Sequence, residues 1–256
     1  MRRLREECPW DRGQTHDSLV KFLIEETYEL VDAIRNLTPG APDAEDLDYG
    51  AYAEVEDELG DVLLQVIFHA NLASEVAAFD IEDLAERLRQ KLVRRHPHVF
   101  GDVDVDDAEE VVRNWSKIKD SERSRESTLD GIPAGLPALQ KASKLQARAK
   151  QVGFDWESVE PVLDKIEEEV AELRAELASR DRASEEVGDL LFSVVNVARH
   201  LNIDPEQALG RAADRFEQRF RAMERQGPLS GLSLSDLDLA WKAAKAALKS
   251  KESRKQ

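Results

Sequence analysis

At 256 residues with a formal charge of −17, the chain has length for one large or two ordinary domains and carries 53 Asp and Glu against 36 Lys and Arg. That balance excludes a general nucleic-acid-binding surface and binding to an anionic membrane, both of which need dense positive charge. Few Gly, Pro and aromatic residues point to an all-α protein, and Cys8, the only cysteine, excludes an intrachain disulfide or a Cys-based zinc site.

Residues 1–17 are charged throughout and lack the apolar core of a signal peptide. Pro9 and Gly13 predict an irregular opening. The longest apolar run, Val62 to Ala70, is broken by Gln65 and His69 and is too short to span a bilayer. The expected location is therefore cytoplasmic.

Asp17 or Ser18 is placed to cap a helix running to about Asn36, with Leu19, Phe22, Leu23, Leu30, Val31 and Ile34 on its apolar face. Glu25, Glu26 and Glu29 stand on the flank of that face. Loop chemistry fills 38–52, and a second helix is predicted from about Glu54 to Val76, containing Glu58-Leu59-Gly60-Asp61. A third, Asp80 to His96, places Lys91 and Arg95 four apart on one face, and a fourth segment places Trp115 and Lys119 likewise.

The polar stretch Asp120 to Asp130 reads as a linker, which sets expected domains of 1–130 and 131–256, with a linker and basic helix at about 120–151. That helix starts at Pro137 and carries Lys141, Lys144, Arg148 and Lys150.

The pattern then repeats. Glu168, Glu169 and Glu172 answer to Glu25, Glu26 and Glu29, and Glu186-Val187-Gly188-Asp189 answers to Glu58 through Asp61. Arg215 and Arg219 answer to Lys91 and Arg95, and Trp241 and Lys245 to Trp115 and Lys119. The loop between the two acidic helices is shorter in the second copy, as expected of a duplicated unit whose insertions fall in loops. Few apolar identities survive between the copies, while the acidic, glycine, basic and Trp/Lys positions do. Packing tolerates apolar swaps but gives no reason to keep exposed charges.

Positions three and four apart share a helix face, so each acidic pair of helices can converge several carboxylates on one spot. Behind Glu186 runs a stripe of Val187, Leu190, Leu191, Val194, Val195 and Ala198, which predicts a core-facing surface. Clustered like charges are costly without a cation between them. Oxygen-only ligands favour Mg²⁺ first and Mn²⁺ next, and the absence of Glu-x-x-His pairs disfavours iron. Mg²⁺ in such a site recruits substrate phosphates, whose remaining oxygens Lys91, Arg95, Arg215 and Arg219 are placed to neutralise. Gly60 and Gly188 lie inside helical patterns, which predicts close approach of a neighbouring helix or of a ligand. His96-Pro97-His98 reads as structural, because the second copy has Phe220-Arg221-Ala222 there.

CPWD at 8–11, EETYEL at 25–30, DELGDVLLQVIFHA at 57–70, RRHPHVF at 94–100, VGFDW at 152–156, EEVGDLLF at 185–192 and RFEQRF at 215–220 together resemble the MazG family. This resemblance, spanning essentially the whole chain, implies two tandem four-helix-bundle-like domains and a homodimer. It implies Mg²⁺-dependent hydrolysis of nucleoside triphosphates to monophosphate and pyrophosphate, with roles in nucleotide-pool cleansing or stress response. Metal ligands would be Glu168, Glu169, Glu172, Glu186 and Asp189, with Glu25, Glu26, Glu29, Glu58 and Asp61 matching them in the first copy. Substrate contacts would be Arg182, Arg215, Arg219, Trp241 and Lys245, matched by Lys91, Arg95, Trp115 and Lys119. Glu169, Glu172, Arg182 and Arg219 are the candidates for catalysis itself. Where this chain has Arg182 and Arg215, better-known members carry Lys, which exchanges a point charge for a planar fork.

Two rival readings stand beside this one. The first is a non-enzymatic acidic helical protein that binds a regulatory partner. The second is a narrow-substrate pyrophosphatase acting on dUTP, dCTP or phosphoribosyl-ATP.

Overall fold

The computed structural model describes residues 1–37, 47–121 and 126–252, among which there are twelve α-helices and no strand. The chain divides into two compact units, Met1–Arg123 and Ser124–Gln256.

Unit 1 opens with α1 (Arg2–Glu7) and α2 (Pro9–Arg12), where the sequence predicts irregular chain. Pro9 falls in the first turn of α2, where a missing N–H is harmless. The Arg5 guanidinium holds this opening together. It donates to the carbonyls of Asp11, Arg12 and Gln14 and to both oxygens of Glu75 at 2.7 Å. Such a many-partnered cation is invisible to local propensity.

The central pair of unit 1 is α3 (His16–Asn36) and α4 (Tyr49–Glu75). The cap of α3 is Thr15 rather than Asp17 or Ser18: its hydroxyl accepts from the Ser18 N–H, while Ser18 Oγ accepts from the Thr15 N–H. Asp48 caps α4 by accepting from the N–H groups of Gly50 and Ala51, so this helix begins five residues before the predicted Glu54. Leu19 packs on Phe68 and Leu72 to form the core, with Met1 and Phe22 against it. Because Leu19 meets the late part of α4 while Glu26 meets Glu58 and Asp61 earlier in it, the two helices run antiparallel. Then follow α5 (Ile81–Arg95), capped by a reciprocal Asp80–Asp83 pair, α6 (Pro97–Phe100) and α7 (Ala108–Ser121). His96 ends α5 and joins it to α6, with its Nδ1 2.7 Å from the Leu92 carbonyl oxygen.

Unit 2 is built from α8 (Ala138–Gln151), α9 (Glu160–Glu176), α10 (Arg180–His200), α11 (Pro205–Glu224) and α12 (Leu234–Glu252). The short link 177–179 folds α9 and α10 into a helical hairpin. Val162, Val195, Met223 and Ala244, one from each of α9 to α12, are buried. The Gln146 amide of α8 donates to the Phe192 carbonyl at 2.8 Å, tying α8 to α10.

The predicted apolar stripe of α10 is only partly a core. Val195 is 1% exposed, but Val187, Leu191 and Val194 are 43%, 51% and 46% exposed. Ser193 and Asn196 turn inward instead. In unit 1, Leu59 and Leu63 of α4 are likewise more than half exposed. The acidic pair of helices in each unit thus keeps an uncovered apolar face, because a two-helix layer cannot bury both sides of its apolar arc within one chain.

Candidate active site

In unit 1, carboxylate oxygens of Glu26 on α3 and of Glu58 and Asp61 on α4 lie within 4.8 Å of one another. In unit 2, those of Glu169 and Glu172 on α9 and of Glu186 on α10 do the same. The two groups draw on four equivalent positions: 26 and 169, 29 and 172, 58 and 186, 61 and 189. Each unit gathers three of the four, with Glu29 left out of the first and Asp189 out of the second. Glu25 and Glu168 stand outside both groups, one residue and so about 100° around the helix from the inward positions. The spacing predicts that both members of each Glu-Glu pair line up on the site, but only one of each does. Glu169 is the one that does so in unit 2, and it is 4% exposed.

Crowding of like charges has a visible electrostatic cost. Burial pushes the Glu58 carboxyl above its ordinary range, with Glu29 and Asp61 adding to it. Burial raises Glu186 too, reinforced by Glu172, Glu169 and Asp189. Glu26 is raised by burial and then by Asp61 and Glu29. Glu58 Oε2 is buried with no hydrogen-bond partner. A carboxylate oxygen in that state is short of a cation or a donor.

The donor set suits a hard divalent cation. All the gathered atoms are carboxylate oxygens, the ligand type that Mg²⁺ and other hard divalent cations take. Among the described residues, no other cluster of three ligand-bearing side chains meets that spread.

The basic and aromatic positions pair in the same way in both units. Arg219 of α11 lies over the Trp241 ring of α12, 5.7 Å from its centroid, and Phe216 packs against the same ring at 5.1 Å. Arg95 of α5 lies over Trp115 of α7 at 5.2 Å. Arg215 and Lys245 are exposed, and Lys91 lines a groove with Phe79, Leu84 and Leu88. Lys119 belongs to α7, but its side chain lies outside those described. Arg182 is ion-paired with Glu176 at 3.0 Å across the α9–α10 link.

Gly60 and Gly188 do not serve close packing within the chain. A Cβ on either would meet nothing within 4 Å. The helical-packing reason for these glycines therefore fails inside the single chain, leaving open space beside the carboxylates.

Several further residues make contacts that the acidic motifs do not signal. Lys165, one turn before Glu168 and Glu169, contacts both at 2.9 Å. Its i, i+3 and i, i+4 spacing could have found it. Asp155 accepts two hydrogen bonds from the Arg199 guanidinium and lies 3.3 Å from His200 Nε2, anchoring the loop before α9 to the end of α10. In unit 1, His16 and His69 meet Nδ1 to Nδ1 at 2.8 Å. The sequence separations involved, 44 and 53 residues, carry no periodic signature.

The family model described as the MazG nucleotide pyrophosphohydrolase domain matches residues 14–100 and 157–223, one segment in each unit. The chain belongs to the MazG family. It is 43% identical over 249 residues to the nucleoside triphosphate pyrophosphohydrolase of Escherichia coli K12, covering 93% of this chain and 90% of that protein. It is 45% identical over 254 residues to the nucleoside triphosphate pyrophosphohydrolase/pyrophosphatase MazG of Thermotoga maritima, covering 96% and 92%. A Mycobacterium tuberculosis nucleoside triphosphate pyrophosphohydrolase is 39% identical over 156 residues, covering 60% of this chain and 44% of that protein. The two matched segments contain both carboxylate groups, Arg95 and Arg219, while Trp115 and Trp241 fall outside them.

Proposed function

We propose that this protein hydrolyses nucleoside triphosphates to the monophosphate and pyrophosphate, with Mg²⁺, or Mn²⁺ in its place, held by the clustered carboxylates. The observation that carries the reading is the convergence of carboxylates at equivalent positions in both units, with buried Glu58 Oε2 left without a partner. Family membership and the names of the relatives supply the reaction class.

Bound metal would supply Lewis acidity, lowering the pKa of a water and neutralising phosphate charge. The chain does the rest. Glu26, Glu58 and Asp61 in unit 1, and Glu169, Glu172 and Glu186 in unit 2, provide the hard ligands, with Glu29 and Asp189 at matching positions beside them. A carboxylate not saturated by metal, Glu169 or Glu172 in unit 2, orients the water and takes its proton. Water adds at a phosphorus of the α,β-anhydride, that P–O bond breaks, and pyrophosphate leaves. Arg182, Arg215 and Arg219, with Lys91 and Arg95 in unit 1, neutralise the oxygens that remain, and Arg forks suit them bidentately. Trp241 and Trp115 offer ring faces beside those cations, with Lys245 and Lys119 one turn further on.

Leu59, Leu63, Leu191 and Val194 support a homodimer, since each is about half exposed on the acidic helix pairs and a second copy would cover them. Among the described residues no helix is long and apolar enough to cross a membrane, and a cytoplasmic location accords with a nucleotide substrate. A panel of ribo- and deoxyribonucleoside triphosphates scored by released pyrophosphate tests the reading. Broad turnover supports it. Turnover of dUTP or dCTP alone would favour a narrow-substrate enzyme, and no turnover with bound Mg²⁺ would favour a regulatory binding protein.

A further inference from the structure

The two acidic sites differ in one respect that their shared ligand pattern hides. In unit 2 the Lys165 ammonium bridges Glu168 Oε1 and Glu169 Oε1, at 2.9 Å from each. Its side chain is 33% exposed, whereas that of Glu169 is 6% exposed, so the contact reaches into the interior of the site. In unit 1 the equivalent position, three before the Glu-Glu pair, is Phe22, which packs on the core and edge-on against Trp10. Among the described residues, no cationic side chain is ion-paired with Glu26, Glu58 or Asp61.

We propose that Lys165 is a resident counter-ion of the unit 2 site, which an entering divalent cation must displace from Glu169. This rests on the metal reading of the carboxylate group. Glu169 is both the most buried carboxylate of that group and a partner of Lys165, so the ammonium and the metal compete for the same carboxylate. A monovalent cation on a flexible four-carbon stem keeps the carboxylates charged and ordered, yet can swing away without disturbing α9. The consequence is a divalent-metal affinity in unit 2 held below what its ligands alone would give. Unit 1, with Phe22, has no such competitor.

The test isolates unit 2 in the full chain by Glu58→Gln with Asp61→Asn, then compares that background with and without Lys165→Met by Mn²⁺ calorimetry. Removing the competitor is expected to tighten Mn²⁺ binding about threefold to tenfold. Unchanged or weaker binding in Lys165→Met would overturn the proposal, since a Lys that merely arranges the carboxylates would be missed by the metal. No Mn²⁺ binding in the background itself would instead strike the metal reading of unit 2. A second measurement needs no variant. Acetylation of Lys165 by an N-hydroxysuccinimide ester, followed by mass spectrometry, should speed up several-fold when Mg²⁺ is added to the native chain. An unaltered rate at a Mg²⁺ concentration that calorimetry shows to be saturating would count against displacement.

Discussion

The Arg219 guanidinium lies over the Trp241 ring at 5.7 Å, and the same pairing recurs in the other unit between Arg95 and Trp115 at 5.2 Å. A guanidinium over an indole face gains cation–π attraction, and the fork of Arg219 has the donor geometry that suits a phosphate oxygen. Arg219→Lys keeps the charge but loses the planar fork, so the KM for a nucleoside triphosphate should rise about tenfold while pyrophosphate remains the product. Steady-state kinetics at saturating Mg²⁺ checks this. An unchanged KM would remove Arg219 from the substrate site.

The carboxylates of the two units can be tested against one another. Glu172→Gln removes one charge from the unit 2 group and Glu58→Gln one from the unit 1 group, each with little change in volume. If unit 2 does the chemistry, kcat/KM falls at least about a hundredfold in Glu172→Gln, the scale of losing one charge-stabilising group. Glu58→Gln then retains most of the turnover. Equal losses in the two variants would mean that both units work.

Gly188 offers a separation of stability from function. Its added Cβ meets nothing, and it sits inside α10, where Gly costs about 1 kcal/mol relative to Ala. Gly188→Ala should therefore raise the thermal midpoint. If the open space beside Glu186 and Asp189 serves substrate or a second chain, pyrophosphate release should fall in the same variant. A lower midpoint would show that the residue is needed by the fold of the single chain.

The Asp155 clasp carries a pH dependence. Burial alone would raise this carboxyl, but the hydrogen bond and charge of Arg199, aided by His200, more than offset it and leave the group lowered. A lowered carboxyl contributes stability that is present above its unfolded value of about 4 and is lost as pH falls through the folded value. Asp155→Asn should therefore unfold at lower temperature than the native chain at pH 7, by about 2 kcal/mol of stability. The gap should close as pH drops below about 4. Thermal scans across pH 3–7 measure it.

How far the sequence reaches follows from the range of each interaction. Helix identity was legible because the 3.6-residue period and the caps are local: α5 and α8 lie close to their expected bounds. The repeat was legible because charges at Glu26, Glu58, Glu169 and Glu186 persist while core residues drift. The two helices at 1–12 were not, since Arg5 reaches 70 residues along the chain to Glu75. The facing of the α10 stripe was missed for a different reason. Hydropathy marks Leu191 and Val194 as apolar, but does not say whether the same chain or another one covers them. Which member of the unit 2 Glu-Glu pair turns inward depends on the rotation of α9 against α10, which tertiary packing rather than local periodicity sets, with Val162 and Val195 buried on those helices.

On the function proposed above, a carboxylate-held divalent cation is required for splitting nucleoside triphosphates between the monophosphate and pyrophosphate. The most direct measurement is phosphorus NMR of the native protein with ATP and Mg²⁺, repeated after chelation with EDTA. AMP and pyrophosphate are expected as the initial products, with turnover lost on chelation and restored by Mg²⁺ or Mn²⁺. ADP and orthophosphate as the initial products, or undiminished turnover in EDTA, would contradict it.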